Sequence, residues 1–116
     1  MPYVVDGQTI PVEHEPQNKE GTLWVPLRAL SQAVGAQVDW DPDNRVVNLY
    51  HKDRIIRVVP GDTTVTVDGE QQELQAAPYL AEGDTWVPVR FFNQPLGYAL
   101  NVDLPTSQVE LTTWNG

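Results

Sequence analysis

Short runs of β-forming residues alternate with turn dipeptides along most of the chain, and only one stretch carries clear helical spacing. Val4-Val5 precedes Asp6-Gly7, and the run Thr63 to Val67 precedes Asp68-Gly69. Asp-Gly supplies the two positive φ angles of a type I′ turn, so each site predicts a hairpin. Thr22-Leu23-Trp24-Val25 then reads as a strand. Pro26 follows it at a helix's first turn, where a missing N–H costs nothing. Leu27, Leu30 and Val34 share one face, and Gly35 stops a helix of about two turns. Ala36 to Trp40 and Arg45 to Tyr50 predict two strands joined by Asp41-Pro42-Asp43-Asn44, with proline second in a type I turn. Arg54 to Val59 is a further strand, which Pro60-Gly61-Asp62 turns into the next.

This order of elements is given twice. Trp24-Val25-Pro26-Leu27-Arg28 recurs 62 positions later as Trp86-Val87-Pro88-Val89-Arg90. The same offset superposes Val5-Asp6-Gly7 on Val67-Asp68-Gly69, Glu20-Gly21 on Glu82-Gly83, Gly35 on Gly97 and Asp41 on Asp103. A copy of this length is too small to hold a good core alone. The expectation is therefore a single α+β domain over residues 1–116. It has two pseudo-repeats, about 3–50 and 65–112, each a β-hairpin, a short helix and a β-hairpin. They share one core, and the strands are mostly antiparallel. Pro95 falls late in the second helix and should shorten or kink its last turn.

Charge narrows the partners. The 116 residues include 7 Lys+Arg against 16 Asp+Glu, a net charge of -9, which repels the phosphates of nucleic acid and anionic lipid. No apolar run approaches the roughly 18–20 residues that span a bilayer, so membrane insertion is not expected. Met1-Pro2-Tyr3-Val4-Val5 lacks the basic-then-apolar order of a signal peptide, so the expectation is either a cytosolic protein or one whose leader has been removed. The absence of cysteine excludes disulfides, thiolate zinc sites and cysteine nucleophiles. Ser31 and Ser107 lack the context of a nucleophile elbow. No catalytic residue and no cofactor are expected.

Four groups of residues are candidate sites. Asp39, Asp41 and Asp43 alternate as at the opening of a calcium loop. Asn44 stands where that loop wants glycine and Tyr50 where it wants a bidentate glutamate, so Asp41 is better read as the turn's first residue, bonding backbone N–H groups. Arg28 and Arg90 each open a helix, a poor place for a cation. Pairing Arg28 with Asp41 and Arg90 with Asp103 would compensate and pin helix to hairpin. Trp24 and Trp86 occupy the same repeat position inside an apolar strand and are expected in the core, as is Trp40 beside Val38. Tyr50, Tyr79, Tyr98 and Trp114 are less constrained. His14 and His51 read as solvated loop residues.

The hairpin, the Trp24 to Arg28 segment with Ala29-Leu30, the short helix ending in Gly35, and Gly35-Ala36-Gln37-Val38-Asp39-Trp40-Asp41 resemble the copper amine oxidase-like N-terminal domain, also called the stalk domain. Ala77-Pro78-Tyr79-Leu80 and Trp86 to Phe91 extend the resemblance from about residue 3 to 113. The second copy departs from it at Val102-Asp103, where the family pattern has Trp-Asp. The resemblance implies a noncatalytic α+β module of exported or envelope-associated Gram-positive proteins, beside peptidase, amidase or S-layer-type anchoring modules. The residues agree that it is no oxidase centre, since a copper site of that type needs three imidazoles and the chain has two. The expected function is a stalk or protein-interaction module, extracellular or at the cell envelope, that meets other protein modules or copies of itself through strand edges. The alternative is a carbohydrate or peptidoglycan-binding module with exposed aromatic rings on cell-wall glycan.

Overall fold

A computed structural model describes residues 3–12, 14–93, 96–103 and 108–112. Strands Tyr3–Val5 (β1) and Gln8–Thr9 (β2) form the first hairpin, and Asp6 and Gly7 between them have φ of 49° and 81°. Gln17–Lys19 (β3) and Thr22–Pro26 (β4) form the second, around Glu20 and Gly21 at φ 52° and 84°. Alternation does not predict β3, because Gln17-Asn18-Lys19 is wholly polar. Pro26 closes β4 in extended conformation, and helix α1, Leu27–Ala33, begins one residue later than the sequence suggests. The helix ends as expected at Gly35 (φ 89°): the N–H groups of Gly35 and Ala36 bond the carbonyls of Gln32 and Ser31, which closes the last turn in the Schellman manner.

Then come Gln37–Asp41 (β5), Val46–His51 (β6), Arg54–Val58 (β7), Thr64–Val67 (β8) and Glu70–Glu73 (β9). They are followed by Tyr79–Ala81 (β10), Asp84–Pro88 (β11), the single 3-10 turn Val89–Phe92, Ala99–Asp103 (β12) and Gln108–Thr112 (β13). The fold is mixed α+β, and among the described residues every strand pair is antiparallel except β1 with β13. Pro95, Ser107 and Trp114 lie outside the described residues.

Three sheets run β12-β13-β1-β2, β10-β11-β4-β3 and β5-β6-β7-β8-β9. In the middle one, β4 meets β11 antiparallel about Val25 opposite Val87, residues 62 apart, with Trp24 opposite Pro88 and Pro26 opposite Trp86 on either side. Alternation along these strands sends Leu23, Val25 and Val87 into an apolar cluster with Leu27 and Leu30 of α1, Phe91 and Phe92 of the 3-10 turn, and Leu49, Ile56 and Leu111 of the outer sheets. Trp24 and Trp86 are buried too, at 7% and 1% exposure, but outside that cluster. They occupy the opposite face of the sheet, near the β2–β3 and β9–β10 connections.

Candidate functional site

Two strands with a free edge among the described residues, β5 and β10, border a groove of about 320 Å³. Leu27, Val38, Trp40 and Val47 give it an apolar floor, Leu80 of β10 stands 56% exposed at its side, and Arg28, Asp84 and Thr85 bring polar groups to it. Each position follows from local structure. Val38 and Trp40 are alternate residues of β5 and so share a face, while Leu27 and Arg28 open the helix that Pro26 terminates β4 to begin. Such a groove can receive an extended chain, with backbone bonds from an edge and apolar contacts from the floor.

Asp84 ties the groove to a second feature. His14 sits with Nε2 3.3 Å from the Asp84 carboxylate and Nδ1 3.6 Å from Glu82. Its ring lies 5.6 Å from that of Trp86, whose indole N–H donates to the carbonyl of Ala81 at 3.1 Å. The Tyr3 hydroxyl donates to the backbone carbonyl of His14 at 2.8 Å. Burial pushes that phenol far above its ordinary pKa, and Glu15 and Asp84 add repulsion, so it stays a donor. His14 is therefore half-buried and clamped, a correction to its reading as a solvated loop residue. The sequence did hold a signal, because Glu82 and Asp84 flank the glycine of a repeated Glu-Gly turn.

The matching place beside Trp24 is an open cleft lined by Lys19, Glu20, Thr22, Trp24 and Ala76. Trp24 meets Tyr79 edge-on at 4.9 Å. Lys19 Nζ lies 4.5 Å from the centre of the Tyr79 ring and donates to its hydroxyl at 2.7 Å.

The acidic and basic candidates fall elsewhere. Asp41 accepts from the N–H groups of Asp43 (3.1 Å) and Asn44 (3.3 Å) and from the Asn44 side-chain amide (2.8 Å). The Asn44 side-chain bond is the main cause that holds its carboxyl below the ordinary value. That carboxylate is thus used inside its own turn, and the expected Arg28–Asp41 pair does not form. Arg28 is exposed at the groove, while Arg90 on the 3-10 turn and Asp103 at the end of β12 are also exposed. Asp39 points to solvent from β5 and Asp43 from the turn. Among the described residues no group of three or more His, Asp or Glu side chains is placed to hold a metal ion.

His51 is the second correction. It ends β6 rather than lying in a turn, is 4% exposed, and its Nε2 stands 2.6 Å from the Tyr98 hydroxyl. That hydroxyl donates its single proton to the carbonyl of Val34 at 3.0 Å, so His51 donates from Nε2. Burial, then repulsion from Lys52, lowers the imidazole pKa. Nothing in the sequence pairs residues 51, 98 and 34, because the contact is made across sheets. Of the aromatic side chains described, Tyr50 is the large one that stands exposed, at 41%, with Ile55 opposite it on β7.

Among known proteins, a primary amine oxidase of Klebsiella aerogenes is 33% identical over 86 residues, covering 74% of this chain and 11% of that enzyme. A protease inhibitor of Brevibacillus choshinensis is 28% identical over 98 residues, covering 84% of this chain and 30% of that protein. The chain thus spans between about a tenth and a third of the length of these relatives. The family model described as the copper amine oxidase N-terminal domain, a noncatalytic domain of a larger protein, matches residues 4–111, and this chain belongs to that family.

Proposed function

We propose that the chain is a noncatalytic stalk or protein-interaction module of an exported, envelope-associated bacterial protein, and that it binds a partner's extended strand in the groove between β5 and β10. The observation that carries this reading is the groove itself: two edges unpaired among the described residues, an apolar floor and the exposed Leu80 in one place. Self-pairing through β5 would bring the Asp39 and Asp41 carboxylates of two copies together, and like charges set opposite one another are unfavourable. The partner is accordingly another protein module. Light scattering on the chain across a concentration series should give a monomer throughout. In the full-length parent protein, the edge amides of β5 and β10 should gain protection from hydrogen exchange relative to the isolated chain. Growth into oligomers, or equal protection in both forms, would overturn the reading.

A second reading is favoured by the likeness to a protease inhibitor. Protease clefts bind extended strands, and an edge with an exposed leucine is suited to one. Inhibition of a panel of serine and metalloproteases, lost in Leu80→Asp, is the test. The sugar-platform alternative finds less support, since Tyr50 stands beside Ile55 rather than in a row of rings.

A further inference from the structure

The molecule carries related small sites at its two buried tryptophans, one holding a histidine and the other bordered by a cleft with an alanine in the histidine's place. Under the 62-residue offset, Trp86 corresponds to Trp24, Glu82 to Glu20, Asp84 to Thr22 and His14 to Ala76. The hairpins that carry these residues join in one sheet with matching registers: Ala81 pairs with Asp84 across Glu82-Gly83, and Lys19 with Thr22 across Glu20-Gly21. At Trp86 the imidazole of His14 lies against the indole with a carboxylate on either side. At Trp24 the residue in that place is Ala76, whose methyl group leaves the cleft open.

We propose that the cleft at Trp24 binds an imidazole side chain presented by a partner polypeptide, in the manner of His14 at Trp86. The wall is already built. Trp24 is braced edge-on by Tyr79, and Lys19 is held by the Tyr79 hydroxyl, which leaves the exposed Glu20 to meet a ring N–H. Thr22 supplies a hydroxyl where Asp84 supplies a carboxylate, and Gln75 holds that hydroxyl at 3.2 Å. Glu20 and Thr22 select a ring with N–H donors over a purely apolar one. The site extends the interaction-module reading to a second surface and does not depend on the groove at β5.

The test is a titration of the full chain with the blocked tripeptide Gly-His-Gly, and with Gly-Ala-Gly as control, followed through the indole N–H resonances of Trp24 and Trp86. The histidine peptide should move the Trp24 signal at millimolar concentration and leave Trp86 in place, while the alanine peptide moves neither. Ala76→His should abolish the response by filling the cleft. Glu20→Gln, an exposed change that leaves the fold intact, should weaken binding about two- to fivefold, the range an exposed ion pair supplies. Equal responses to both peptides, no movement of Trp24, movement of Trp86 instead, or undiminished binding in Glu20→Gln would overturn the proposal. None of these results bears on amide protection at β5 and β10, so the two readings fail separately.

Discussion

Trp24 and Trp86 begin from the same Trp-Val-Pro segment on neighbouring strands of one sheet, yet their surroundings differ. His14, flanked by Glu82 and Asp84, lies against Trp86, whereas Ala76 lines a cleft at Trp24. The same division recurs at other related positions. Ser31 of α1 is fully buried with its hydroxyl unbonded, but Asn93, 62 positions later, bonds the carbonyl of Tyr98 at 2.7 Å. Ala36 of the first copy corresponds to Tyr98 of the second, which reaches back to Val34 and His51. The outer sheets differ too: β7 lies between β6 and β8, while β13 joins β1 directly and in parallel. The Asp-Gly and Glu-Gly turns thus take the same positive φ in both halves, whereas the helix is α in one and a 3-10 turn in the other, the outer sheets join differently, and the side chains around the two tryptophans differ.

The largest effect expected is at the tryptophans. Trp86→Ala and Trp24→Ala should each cost about 3–5 kcal/mol in chemical denaturation. Trp86→Ala should cost more, because it also frees the Ala81 carbonyl and undoes the seat of His14. Equal costs would break the distinction between closed and open sites. Tyr98→Phe comes next, at about 1–3 kcal/mol, since it leaves the Val34 carbonyl and the His51 N–H without their bridge. His51 adds a dependence on pH. Its folded pKa lies below the unfolded value of about 6.5, so the unfolded chain takes up the proton first. Stability is full above about 6.5 and declines as pH falls from there toward the folded pKa. His51→Gln should flatten that slope.

Smaller effects separate the halves further. His14→Ala should cost about 0.5–1.5 kcal/mol, the modest worth of partly exposed polar contacts with Glu82 and Asp84 plus the ring contact with Trp86. Ser31→Ala should be neutral or stabilising, because the buried hydroxyl has no partner to lose, whereas Asn93→Ala should cost about 1 kcal/mol. A loss of stability in Ser31→Ala would mean that the helix uses that hydroxyl.

Much of the framework was legible because turn chemistry is local. Asp-Gly placed two hairpins, Pro26 and Gly35 bracketed the helix, and Asp41-Pro42 placed the β5–β6 turn. Contacts made at long range were not legible. The parallel join of β1 to β13 and the burial of His51 under Tyr98 depend on how sheets meet. The Arg28–Asp41 pairing misled because Asp41's nearest donors are in its own turn, where closure costs less than reaching the helix. Glu20-Gly21 and Glu82-Gly83 were visible as a repeat but not as hairpins, because glutamate carries no preference for the positive φ it adopts there.

His14 at Trp86 and Ala76 at Trp24 decide how closely each tryptophan site is covered. The most direct measurement is solvent exchange of the indole N–H groups of Trp24 and Trp86 in the wild-type chain, in His14→Ala, in Ala76→His and in the double variant. Ala76→His should slow exchange at Trp24 alone, His14→Ala should speed it at Trp86 alone, and the double variant should show both changes. Unchanged exchange at Trp24 in Ala76→His, or a response at both tryptophans to either single change, would contradict this.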